Sequence, residues 1–237
     1  MSLLLNGDCL ELMKDIEDDS VDLIFCDLPY QCTNCKWDIL IPWEPFWKEI
    51  MRIKKLNTPI FMTCTTKFGV ELINNAPKKC PFRYDIVLCK STTSGFLLSS
   101  KMPLRKHEMV YVFYEKLPFY DLSSHKNKFN KEYNDYDNKD GAYGVIKSQK
   151  GHPEPLYNPP LPTSIVEIKS TRGKHSTEKP IALIEYLLKY YSKEGDVVLD
   201  PTMGAGSAGV ACKNMNRNFI GIEKDPEIYE IAFNRIN

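Results

Sequence analysis

Short apolar runs alternate with amphipathic stretches along most of this chain. Ser2–Leu5 reads as a strand that stops at Asn6-Gly7-Asp8. Leu10, Leu12, Met13 and Ile16 then fall on one face of a helix. Val21–Cys26 is a second strand, ending in Asp27-Leu28-Pro29-Tyr30. A helix over about 43–56 turns Phe46, Trp47, Ile50 and Ile53 inward. Ile60–Cys64 predicts a strand, Lys67–Asn75 a helix, and Tyr84–Lys90 and Met109–Glu115 two more strands. Periodicity then fails across 118–160, where Asn, Asp, Lys, Tyr and Pro dominate. It returns with a strand at Ile165–Ile168, an amphipathic helix at Ile181–Tyr191 and a strand at Val197–Leu199. A glycine turn, a helix from Ala208, a strand at Asn218–Ile222 and a closing helix at Pro226–Ile236 complete the chain. Strands alternating with helices predict an α/β fold with a mostly parallel sheet and helices on both faces. The irregular middle is expected to be an insertion that carries recognition. The expected organisation is one α/β domain in two parts, 1–117 and 165–237, with an inserted lobe at 118–164.

Composition changes this picture little. At 237 residues and 43 % apolar content the chain is long enough for one well-filled core. Lys and Arg balance Asp and Glu at 31 each, so the whole molecule does not coat nucleic acid by charge. The balance is uneven, however: residues 101–179 hold 14 basic against 10 acidic side chains. No run approaches the roughly 20 apolar residues of a membrane span, and the start does not read as a signal peptide. The eight cysteines mostly sit inside apolar runs, which suits reduced thiols in a cytoplasm-like compartment. Cys32 and Cys35 have zinc-ligand spacing, but no second pair completes four ligands.

The chemistry concentrates where strands end. After Val197-Val198-Leu199 come Asp200 and Pro201, then Gly204, Gly206 and Gly209 in G-x-G-x-x-G spacing. Such a turn lets backbone approach a ligand closely at a helix start. Glu223 ends the next strand, 19 residues after Gly204, and is placed to accept hydrogen bonds from ribose hydroxyls. Asp27-Leu28-Pro29-Tyr30 offers a carboxylate, a rigidified carbonyl and an aromatic face. That set matches the exocyclic amine of a planar base: Asp27 and the Leu28 carbonyl accept its protons and Tyr30 stacks on the ring. A base inside a duplex reaches such a pocket only when flipped out. Because ligands of open α/β sheets bind beyond the carboxyl ends of the strands, all these motifs should line one crevice.

These motifs resemble those of the DNA amino-methyltransferases, specifically the β group, in which the catalytic motif precedes the cofactor motif. The usual D-P-P-Y reads Asp27-Leu28-Pro29-Tyr30, and the usual D-P-F-x-G-S-G reads Asp200-Pro201-Thr202-Met203-Gly204-Ala205-Gly206. The family's H-P-T-x-K-P appears as His175-Ser176-Thr177-Glu178-Lys179-Pro180. Asn6-Gly7-Asp8 and Phe219–Glu223 also match, so the likeness covers 5–115 and 165–236. Leu28, Ser176 and the Thr202-Met203 pair depart from the pattern. The last removes an aromatic beside the cofactor.

The resemblance implies a Rossmann-like methyltransferase fold with permuted motif order, and S-adenosylmethionine as cofactor. Glu223 would hold the ribose and Asp8 the adenine end. Asp200, Pro201, Thr202, Gly204 and Gly206 would hold the methionine part, with His175, Thr177 and Lys179 completing that wall. Asp27 at the first catalytic position favours adenine N6 over cytosine N4, as a tendency of the family. Double-stranded DNA is the implied partner, with no membrane, and homodimers are common in the family. Lys126, Lys128, Lys131, Lys147 and Lys150 in the middle segment would meet phosphates, as would Lys101, Arg105 and Lys106. Phe129, Tyr133, Tyr136 and Tyr143 serve either as lobe core or as base-stacking residues. Three alternatives stand beside this reading: a nicotinamide-dependent oxidoreductase, a DNA-binding relative without activity, and a methylase of RNA or of a protein amide.

Overall fold

The computed structural model describes residues 1–30, 39–131, 154–168 and 178–237. Its strands are β1 (Ser2–Asn6), β2 (Leu23–Cys26), β3 (Ile60–Cys64), β4 (Phe82–Ser94), β5 (Arg105–Phe113), β6 (Lys126–Lys131), β7 (Glu154–Asn158), β8 (Ile165–Ile168), β9 (Val197–Asp200) and β10 (Asn218–Glu223). Its α-helices are α1 (Cys9–Leu12), α2 (Trp43–Ile53), α3 (Thr66–Asn75), α4 (Ile181–Tyr191), α5 (Ser207–Asn214) and α6 (Pro226–Ile236). The chain groups into two compact units. The first is Met1–Tyr120 with Ser164–Asn237, and the second is Asp121–Thr163, against the 118–164 expected from sequence.

The first unit is built on an eight-stranded sheet in the order β1-β10-β9-β2-β3-β5-β4-β8. From β1 to β3 every pairing is parallel. β5 runs antiparallel to both β3 and β4, while β4 and β8 are parallel. β4 therefore points the same way as β3, and the β4–β5 connection lies at the edge where β2, β9 and β10 end. This is the Rossmann-like methyltransferase arrangement: β1, first in the chain, pairs with β10 from the chain's other end.

Burial explains why the central strands read as unbroken apolar runs. Every residue of β2 and β3 is buried, because helices cover both faces. Ile60 and Met62 join the cluster of Phe46, Trp47, Ile50 and Ile53 from α2. Phe61, one step along the pleat, meets Tyr191 of α4 on the other face, with ring centroids 5.0 Å apart.

Five elements differ from expectation. The first helix is only one turn, followed by a 3₁₀ turn at Met13–Asp15. β4 and β5 extend past their apolar stretches, to Ser94 and from Arg105. In the second unit, β6 and β7 pair as an antiparallel ladder inside the segment expected to be irregular. Its first strand, Lys-Asn-Lys-Phe-Asn-Lys, has no apolar alternation to announce it. Among the described residues no helix is long and apolar enough to cross a membrane.

Candidate active site

Parallel pairing brings the strand-end motifs of the first unit together. Asp27 follows the last residue of β2, and its carboxylate is engaged on both oxygens. Tyr30 donates its hydroxyl to Asp27 Oδ1 at 2.8 Å, and buried Thr63 of β3 donates to the same oxygen. The two hydroxyl oxygens lie 2.9 Å apart. Lys179 Nζ donates to Asp27 Oδ2 at 2.7 Å. Tyr30 packs its ring on Phe68 of α3, centroids 4.8 Å apart. Burial and the Asp27 charge push the Tyr30 phenol far above its ordinary pKa, so it remains a donor. Leu28 is buried and Pro29 half-buried beside it.

The glycine turn sits against this group. Thr202 donates its hydroxyl to the Asp27 carbonyl at 3.2 Å, tying the turn to the end of β2. Asp200, 2 % exposed, accepts the Thr202 amide at 3.1 Å. Its carboxyl is inside the protein, and burial lifts its pKa well above 3.8, with Asp27 and Glu223 adding to the effect. Pro201 and Met203 are also buried, and Met203 fills the space over Gly221. The aromatic missing from this stretch is thus replaced by a buried thioether and a hydroxyl that reaches the end of β2.

The glycines divide into two kinds. Gly204 has a left-handed φ of +51°, and a Cβ there would meet nothing within 4 Å. Its open side is where a ligand can approach. Gly206 and Gly209 instead make room for α6: a Cβ on Gly209 would lie 2.3 Å from Ile236 Cδ1. Arg235 of α6 donates to the Ala205 carbonyl at 2.6 Å, and to Glu178, which also accepts from Ser207.

Glu223 closes the far side. Its Oε2 accepts the Gly204 amide at 3.0 Å and its Oε1 the Asp225 amide at 2.8 Å. Burial raises its pKa, against the pull of these amides. Helix capping falls to Asp225, which accepts from Glu227 and Ile228. Each Glu223 oxygen keeps a lone pair for a ribose hydroxyl. Asp8 caps α1 through the Leu10 amide and pairs with Lys224 at 3.0 Å. Burial acts to raise its pKa, but Lys224 and the Leu10 amide outweigh it and the net shift is downward. An open glycine at a helix start, a half-buried carboxylate and a second acid at the neighbouring strand end suit a nucleoside bearing an amino-acid tail.

Lys179, expected to help complete the cofactor wall, also reaches the end of β2. Its ammonium lies on the Asp27 carboxylate. Three residues absent from the sequence reading complete this cluster. Thr63 is one; the others are Glu108 of β5, 3.8 Å from Lys179 Nζ, and Lys90 of β4, which pairs with Glu108. An acid and a base at matching ends of paired strands was the available signal, hidden because β5 was expected to start after Glu108.

Lys101 and Lys106 are exposed and Arg105 half-exposed, all near the β4–β5 connection, which also exposes Phe96 and Leu97. In the second unit Lys126 is exposed, and Lys128, Phe129 and Lys131 lie on β6. His175, Thr177, Lys147, Lys150, Tyr133, Tyr136, Tyr143, Cys32 and Cys35 fall outside the described residues.

Comparison with known proteins agrees on one family. A family model described as DNA methylase, of the N6/N4 methyltransferase group, matches residues 21–234. The chain is 26 % identical to the type II methyltransferase M.HinfI of Haemophilus influenzae, covering 100 % of this chain and 68 % of the relative. It is 28 % identical to the DNA adenine methyltransferase YhdJ of Escherichia coli, over 99 % of this chain and 82 % of that one. Among solved structures, the M1.HpyAVI–SAM complex superimposes with a TM-score of 0.67 at 24 % identity, covering both chains fully. The cytosine-N4-specific PvuII DNA methyltransferase gives a TM-score of 0.70 at 14 % identity, over 100 % of this chain and 86 % of that one.

Proposed function

Because the chain belongs to the DNA methylase family, we propose that it methylates the exocyclic N6 of a flipped-out adenine in duplex DNA. One observation carries this reading: the glycine turn and the Asp27 strand end are joined through Thr202, which puts a nucleoside cradle next to an amine acceptor. S-adenosylmethionine supplies the methyl group. Glu223 and Asp8 hold its nucleoside, and the open side of Gly204 admits the amino-acid tail.

The residues of this chain do the rest by positioning and electrostatics. Asp27 and the Leu28 carbonyl accept the amine protons. That directs the nitrogen lone pair toward the donor and offsets positive charge as it develops on nitrogen. Pro29 fixes the carbonyl's direction, and the buried Tyr30 and Thr63 hydroxyls hold Asp27 in place. Lys101, Arg105 and Lys106 contact phosphates, and Lys126, Lys128, Lys131, Lys147 and Lys150 of the inserted segment do so as well.

The test is transfer of labelled methyl from S-adenosylmethionine to duplex DNA, followed by nucleoside analysis. N6-methyladenine is expected. N4-methylcytosine would keep the family and overturn the base, and label confined to RNA or protein would overturn the substrate. Asp27→Ala should lower turnover by at least a hundredfold and leave cofactor affinity within about tenfold. A variant with near-normal turnover would remove Asp27 from the site.

A further inference from the structure

Asp27 already has three donors: Tyr30 and Thr63 on Oδ1, and Lys179 on Oδ2. An entering amine has to share Oδ2 with the Lys179 ammonium, since Oδ1 already accepts from both hydroxyls. A lysine ammonium held there also opposes positive charge developing on the target nitrogen. The two hydroxyls orient the carboxylate; the ammonium competes with the substrate.

Glu108 supplies the alternative. Its Oε1 is held by Lys90 across the β4–β5 ladder. Its Oε2 is shielded from solvent and has no hydrogen-bond donor. A buried carboxylate oxygen without a donor is unfavourable, and groups of this kind concentrate at working sites. The nearest cation is Lys179 Nζ, at 3.8 Å, within ion-pair range and about 1 Å beyond a hydrogen bond. Burial works against the Lys179 charge, but Asp27 and Glu108 more than compensate, so it stays an ammonium between two carboxylates.

We propose that Glu108 is a positioning residue: it takes the Lys179 ammonium from Asp27 when the target base enters, leaving Asp27 Oδ2 to the exocyclic amine alone and moving the positive charge away from the target nitrogen. The exchange moves no proton and keeps the buried charge balanced, with Lys90 holding Glu108 in position. This role rests on the methyltransferase reading above and deepens it.

The test is a double-mutant cycle in the full chain with bacteriophage lambda DNA as probe, reading kcat, KM for DNA and Kd for S-adenosylmethionine. Glu108→Gln should lower kcat about tenfold or more and leave KM and the cofactor Kd within threefold. In a Lys179→Met background the same change should alter kcat less than twofold, since no ammonium then needs a second seat. If Glu108→Gln fails to fold, Glu108→Asp takes its place in the cycle; it keeps the charge but withdraws the carboxylate by one methylene. Normal kcat in the Glu108 variant, a matching loss of cofactor affinity, or a full tenfold loss on top of Lys179→Met would each overturn the role. A wild-type chain that leaves lambda DNA unmethylated defeats the methyltransferase reading itself. A wild type that methylates while the two substitutions act independently defeats only the part given to Glu108.

Discussion

Asp27 and Asp200 both end buried parallel strands, yet their surroundings give them opposite tasks. Asp27 is surrounded by donors and faces the site. Asp200 is sealed in the core beside the Thr202 amide. Because the fold raises the Asp200 pKa well above 3.8, the folded protein holds that proton more tightly than the unfolded chain. Its contribution to stability is therefore present at low pH and declines as pH climbs from about 3.8 toward the raised value. Asp200→Asn removes that decline. In thermal melts from pH 4 to pH 8, the difference in Tm should move in the variant's favour by about 3 °C. Parallel curves for the two proteins would sink this account. At this scale the sequence disclosed the acids at strand ends, because an aspartate or glutamate closing an apolar run is visible locally. It did not disclose that Lys179 sits on Asp27, a bond between residues 152 apart in the chain. Nor did it show Glu108, whose place depends on strand register rather than on its neighbours.

At the scale of elements, the third glycine of the turn has a packing task rather than a ligand-binding one. A Cβ on Gly209 would come within 2.3 Å of Ile236 Cδ1 and 2.8 Å of Phe219, so α5 closes on both α6 and β10. Alanine is the better helix former, by about 1 kcal/mol. The overlap costs more, on the order of 1–3 kcal/mol. Gly209→Ala should therefore lose up to about 2 kcal/mol net in urea unfolding. Increased stability would mean that α6 shifts freely, contrary to its Arg235 anchor on Ala205. The alternation of apolar runs revealed most strands and helices because buried parallel strands cannot hide their composition. The β6–β7 ladder escaped for the converse reason: its first strand is mostly Lys and Asn, and backbone pairing is not written in such side chains.

For the whole molecule, net neutrality conceals an uneven surface. The basic side chains around the β4–β5 connection lie at the sheet edge where β2, β9 and β10 end, and on the proposed function a duplex offers its base there. Contacts to phosphate release counterions, so affinity falls steeply with salt. Replacing Lys101 and Lys106 together by Ala should reduce the slope of log K against log salt by about 2, roughly equally for any duplex sequence. Fluorescence anisotropy titrations between 50 and 200 mM salt would read this. An unchanged slope would place the DNA elsewhere.

The position of β1 has a consequence for how this enzyme is made. β1 and β2 are consecutive in the chain, yet β10 and β9 lie between them in the sheet. On the ribosome the first two strands therefore emerge with a gap between them that β9 and β10, made much later, fill. Asp27 emerges well before Asp200, Gly204 and Glu223. A truncated chain can bury neither side of that gap and has no seat for the methyl donor. Permuted order thus ties assembly of the site to the arrival of β9 and β10, and a chain cut short of them holds Asp27 without the glycine turn or Glu223.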